Sequence, residues 1–201
     1  AVLMLFVTIV AGAVLGLVSG GIYVLLRIPP IITSLGVTLI YEGIMYTITN
    51  GKYVMAEVQN PSMSGFVGTW IYAAAIIVVV LILSIVIFDY TRFGYDYKAL
   101  KDGQKVAVNT GIREIPNTLI CYTICGALMG TVGFLNAARN TTINGGQLNF
   151  SSIAIMFTAF LPMFIGSYIS RYSNEKVGFL LAAVCMSLLN STFAVLSNVV
   201  T

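Results

Sequence analysis

No charged residue interrupts the chain from Val2 to Leu26, and five later stretches of similar length carry one charge between them. They run from Pro30 to Asn50, Phe66 to Phe88, Pro116 to Ala138, Ser151 to Ile169 and Val177 to Val199, and the single charge is Glu42. A membrane-crossing helix needs about 20 mostly apolar residues. Lipid offers no partner to a free backbone group, so each stretch is expected to be a helix. The reading is an all-α polytopic transmembrane bundle of about six spans, forming a single domain over residues 1–201. Pro162 interrupts the fifth stretch, which is either a kinked span or a re-entrant segment. Only 8% of the residues are charged against 58% hydrophobic. A soluble domain is about a quarter charged, so a soluble enzyme is excluded.

Alternating spans divide the ten lysines and arginines unequally. Arg27, Arg92, Lys98, Lys101, Lys105, Arg113, Arg171 and Lys176 fall on one side, and only Lys52 and Arg139 on the other. Positive loops stay in the cytoplasm, which places residues 89–115 inside and the loops 51–65 and 139–150 outside. The net charge of +3 is too small and scattered for nucleic-acid binding. The chain begins within an apolar run, without a charged leader, and is expected to be a fragment of a longer protein.

Small residues recur at helical spacing. Gly12, Gly16 and Gly20 are four apart in the first span, and Gly126 and Gly130 repeat that interval in the fourth. Such stripes let helix backbones approach where no hydrophobic force drives association. The first span is therefore expected to be buried against other helices. The chain has no histidine, which removes the commonest general base and metal ligand. Cys121, Cys125 and Cys185 lie in apolar runs and read as packing residues, so no metal site is expected.

The inner connection Thr91 to Ile112, TRFGYDYKALKDGQKVAVNTGI, is long for a link between two membrane helices. Tyr97 to Leu100 and Gln104 to Asn109 read as short helices, with Gly103 as a break and Gly111 as a stop. Ala99, Leu100, Val106, Ala107 and Ile112 are apolar in an otherwise charged loop, which suggests a partner surface.

Arg92-Phe93-Gly94, then Ala99, Ala107 and Gly111-Ile112, resemble the cytoplasmic coupling loop of bacterial ABC importer permeases of the monosaccharide (ribose-type) and branched-chain amino-acid family. Ile28 to Gly36, IPPIITSLG, is similar to that family's Ile-Pro-x-Phe-Ile-x-Thr-Leu-Gly opening of a membrane helix. Tyr122 to Arg139, followed by Gly145-Gly146, resembles the helix after the coupling loop and its outer end. Where the family has Glu-Leu-Asp-x-Ile-Ala, this chain has Gln147-Leu148-Asn149-Phe150.

The resemblance implies a permease subunit in the bacterial inner membrane that is not itself an enzyme. No Gly-x-x-x-x-Gly-Lys-Ser/Thr loop is present, so ATP and magnesium would belong to a separate ABC ATPase. That subunit would engage Arg92, Phe93, Gly94, Ala99, Leu100, Ala107, Gly111 and Ile112. The other implied partners are a second permease subunit (the same chain or a different one), an extracytoplasmic solute-binding protein and membrane lipid. The expected solute is a small polar molecule, foremost a monosaccharide such as ribose. A nucleoside or branched-chain amino acid, or an ion-coupled secondary carrier, remain the alternatives. An intramembrane hydrolase would need a nucleophile and a base, and Glu42 alone is no such pair. As a carboxylate within a span, Glu42 leads the candidate solute path, with Thr38, Asn136 and Asn149 as hydrogen-bonding groups.

Overall fold

The computed structural model describes residues 2–52, 54–55, 70–139, 142–143, 151–169 and 175–200. The helices are α1 (Val2–Leu26), α2 (Pro30–Thr49), α3 (Trp70–Ile85), α4 (Arg92–Asn109), α5 (Glu114–Arg139), α6 (Ser151–Ile169) and α7 (Glu175–Val200). A π-helical turn, Val86–Tyr90, extends α3, and two short strands, β1 (Val54–Met55) and β2 (Thr142–Ile143), complete the elements. Among the described residues five helices are long and apolar enough to cross a membrane, and α7 carries a shorter apolar run, Val177–Phe193. The fold is the expected helical one of about six spans. Large apolar side chains stand exposed along it, Leu3, Ile71 and Ile155 each by more than two thirds, as a chain solvated by lipid requires.

The chain divides into two compact units, Ala1–Leu148 and Asn149–Thr201. The first is organised around α1 and α5. A Cβ added to Gly12 would lie 2.9 Å from the Cα of Gly130, and one added to Gly126 would lie 2.7 Å from the Cα of Gly16. Gly20 faces Leu119 and Tyr122. Rising numbers on α1 thus meet falling numbers on α5, so the two helices run antiparallel. Their backbones touch along the glycine stripes, where any side chain would separate them. Tyr23 and Tyr122 close the inner end of this seam with ring centroids 5.5 Å apart. The expectation that α1 is buried holds for this face, on which Gly16 and Gly20 are buried, while its other faces are exposed.

Helix α2 starts with Pro30 in its first turn and ends on Asn50 in the left-handed region at φ 50°. The Tyr41 hydroxyl ties it to α1, donating to the Leu15 carbonyl at 2.8 Å and lying 2.9 Å from Ser19 Oγ. β1 and β2 pair antiparallel, Val54 opposite Ile143 and Met55 opposite Thr142. They belong to the two connections that the charge distribution places outside, so their pairing agrees with that placement.

In the second unit α6 is one unbroken helix through Pro162, long enough to cross. It meets α7 closely, since a Cβ on Gly166 would lie 2.9 Å from the Cα of Phe179. Ala182 on α7 is fully buried.

Candidate functional site

The inner connection is a built element anchored to the end of α3. Thr91 is extended at φ −100°, ψ 157° and caps α4, its Oγ1 accepting from the Gly94 N–H at 3.3 Å. The same hydroxyl donates back to the Ile87 carbonyl. Gly94 is buried, and a Cβ there would stand 2.8 Å from the Cα of Phe88. The glycine of Arg-Phe-Gly therefore lets α4 fold back tightly on the turn it leaves. Phe88 contacts Phe93 and Tyr97 edge-on, with centroids 5.7 and 5.4 Å apart. Lys98 Nζ lies 2.7 Å from Asp89 Oδ1. That pair is half exposed and is worth about 0.2–1 kcal/mol, so the aromatic cluster and the cap supply most of the anchorage.

Gly103, at φ −170° and ψ 83°, breaks α4 into two helical parts, as its sequence predicts. The first part begins at Arg92 instead of Tyr97, because Thr91 supplies a cap that was not recognised in the sequence. The second part ends in overlapping turn bonds: Thr110 N–H to the Val106 carbonyl at 3.0 Å and Ile112 N–H to that of Ala107 at 3.2 Å. Gly111 takes φ +95°, a left-handed stop suited to glycine. Gln104 Nε2 donates to Glu114 Oε1 at 2.5 Å, binding this part to the start of α5.

The side chains do not all face where the sequence reading puts them. Arg92 and Gly111 are exposed, while Phe93, Ala99, Leu100 and Ile112 are half-buried. Ala107 is only 4% exposed, so its methyl packs against its own chain. The break at Gly103 sets the rotation of the second part and turns Ala107 inward. The exposed apolar surface includes Val106 (69% exposed), which the sequence reading names, together with Tyr95 (61%) and Val108 (43%). Tyr95 and Val108 were missed because they do not occupy the alanine positions of the motif, although both are apolar residues in a charged loop.

Within the spans, Glu42 is buried, 8% exposed, and neither carboxylate oxygen has a hydrogen-bond partner among the described residues. Thr38 lies one helical turn before it on the same face of α2. Its hydroxyl bonds back to the Ser34 carbonyl at 2.7 Å. Asn136 is exposed on α5 and is not the partner of Glu42, whose oxygens have none. Asn149 lies outside the described residues. The structure thus groups Glu42 with Thr38 and does not bond Asn136 to them.

The family described as branched-chain amino acid transport system / permease component matches residues 1–200. The autoinducer 2 import system permease protein LsrC of Photorhabdus luminescens is 25% identical over 198 residues, covering 94% of this chain and 57% of that protein. LsrC of Klebsiella pneumoniae is 29% identical over 135 residues, 64% of this chain and 38% of the relative. The galactose/methyl galactoside import permease protein MglC of Salmonella typhimurium is 27% identical over 146 residues, 68% of this chain and 44% of its own length. The chain therefore spans about half the length of the curated relatives it matches. No solved structure matches it. With a family match over nearly its whole length, borne on a multi-pass helical fold, this chain belongs to the branched-chain amino acid transport system permease family.

Proposed function

We propose that the chain is the membrane-spanning permease component of an ATP-binding-cassette importer that carries a small polar solute, a monosaccharide such as ribose, across the bacterial inner membrane. The observation that carries this reading is the architecture of α4. It is a short helical element on the lysine- and arginine-rich side, fixed to α3 by the Thr91 cap, the Gly94 contact and the Phe88 cluster. It exposes Tyr95, Val106 and Val108 beside Lys101 and Lys105. The first part is so rooted on α3 and the second is bonded through Gln104 to Glu114 at the start of α5, so a push from an attached domain would reach the spans through both ends of the element. An ABC ATPase subunit, holding ATP and magnesium, fits that surface, with the exposed cations facing its acidic groups. A second permease subunit and an extracytoplasmic solute-binding protein complete the proposed assembly. Support for a sugar comes from relatives named for autoinducer 2 and for galactose and methyl galactoside. In the solute path, the unpartnered Glu42 carboxylate with Thr38 beside it suits hydroxyl donors, because each sugar O–H can donate to a carboxylate oxygen.

The test is to co-express the chain with the sugar-importer ABC ATPase subunits of its source organism and to purify through a tag on the permease. The ATPase should co-purify with the parent chain and be lost from Val106→Glu, whose side chain points into water. Retention of the ATPase by Val106→Glu at the parent level, or failure of the parent chain to capture it, would overturn the reading.

A further inference from the structure

A cleft of about 380 Å³ opens on the inner side of the first unit, where α1 ends, the second part of α4 passes and α5 begins. Tyr23, Arg27, Gln104, Glu114, Ile115 and Thr118 are among its lining residues. Arg27 directly follows the last turn of α1, and Glu114 opens α5, so both stand at ends of apolar helices long enough to cross a membrane, on the side that the charge count assigns to the cytoplasm. They face one cleft with opposite charges yet form no ion pair with each other. One oxygen of Glu114 accepts from Gln104, which leaves the other to take a second donor. Arg27 holds a left-handed backbone at φ 51°, a conformation uncommon outside glycine.

We propose that this cleft binds the headgroup of a zwitterionic phospholipid bearing a primary ammonium. The phosphodiester would accept from the Arg27 guanidinium, with the Tyr23 and Thr118 hydroxyls as further donors. The ammonium would donate to the free oxygen of Glu114. Separated opposite charges match a zwitterion, whereas a purely anionic headgroup meets repulsion from Glu114. A trimethylated ammonium has no N–H to donate. A lipid is favoured over a soluble zwitterion because the cleft adjoins exposed apolar surface at the membrane edge. Leu25 is 83% exposed, Leu26 53%, and Ile115, which lines the cleft, 49%. A glycerol backbone and the first methylenes of an acyl chain would lie along them.

The full chain, purified in detergent and incubated with equal amounts of phosphatidylethanolamine, phosphatidylcholine and phosphatidylglycerol, tests this by native mass spectrometry of retained lipid. Phosphatidylethanolamine should be retained about five-fold over each of the others, a preference of about 1 kcal/mol. Arg27→Ala and Glu114→Gln should each abolish the preference, whereas Arg27→Lys and Lys52→Ala, the latter on the opposite side, should keep it. Helix content by circular dichroism verifies that each variant is folded, and either of the two loss variants suffices. Equal retention of the three lipids, or a preference that survives both loss variants, would overturn the site. Displacement by equimolar glycerophosphoethanolamine would assign it to a soluble zwitterion and overturn the lipid occupant.

Discussion

Ala107 and Val106 are neighbours on α4 with opposite fates: one is 4% exposed and the other 69%. Ala107→Glu forces a carboxylate into a buried position, and a buried unpaired charge costs about 3–5 kcal/mol. The second part of α4 should come loose, with a lowered melting temperature of the detergent-purified chain even without an ATPase. Val106→Glu should leave melting nearly unchanged, since surface substitutions stay within about 0.5 kcal/mol. Equal melting of the two variants would show that Ala107 is not buried. Gly111→Ala should also destabilise the loop, by about 1–2 kcal/mol, because φ +95° suits glycine alone. The glycine stop was legible in the sequence, since few other residues serve there. The inward turn of Ala107 was not, because Gly103 resets the helical phase and a break carries no information about the angle through which it turns. Glu42 was legible as an outlier, a charge in an apolar run, but its lack of any partner is visible only in three dimensions.

The α1–α5 seam separates glycines that are in contact from glycines that are not. Gly20 and Gly21 are adjacent, yet a Cβ on Gly20 would lie 2.8 Å from the Tyr122 Cβ, while one on Gly21 meets nothing within 4 Å. Gly16→Ala and Gly126→Ala should each destabilise the chain by about 1–3 kcal/mol, the usual cost of overpacking. The clash there is with backbone, which cannot rotate away. Gly21→Ala and Gly133→Ala, both facing open space, should be neutral or stabilise by up to about 1 kcal/mol through helix propensity. Unfolding by sodium dodecyl sulfate, followed by far-ultraviolet circular dichroism, resolves the two classes. The four-residue spacing was legible in both helices, because a stripe of small residues is a local property. That the two stripes face each other was not, since the intervening residues include two complete helices and the whole of α4.

The orientation of the whole chain rests on a charge count over the sequence, and the β1–β2 ribbon is its structural counterpart. Charges counted along spans give an expected sidedness, because insertion responds to lysines and arginines near span ends. The ribbon had no legible signal, since two-residue strands show no periodicity. It nevertheless constrains the topology: residues paired across a sheet must lie on one side of the membrane, so α2 must end on the side where α5 ends. Residues directly opposite in an antiparallel pair have Cα atoms about 4.5–5.5 Å apart, within the range that a disulfide bridges. In a background with Cys121, Cys125 and Cys185 replaced by alanine, Val54→Cys together with Ile143→Cys should cross-link when a membrane-impermeant oxidant is added from outside. The product is recognised by cleaving the chain between the two positions and finding the fragments joined until reduced. Val54→Cys with Lys101→Cys should never join, because α3 carries the chain across the bilayer between them. A single cysteine at Lys101 should react only with a reagent admitted to the inside, and one at Asn144 only with a reagent supplied outside. Cross-linking of the Val54 and Lys101 cysteines, or labelling of Lys101 and Asn144 cysteines from the same side, would mean that a helix taken as a span does not cross. The cytoplasmic surface assigned to α4 would then lose its basis.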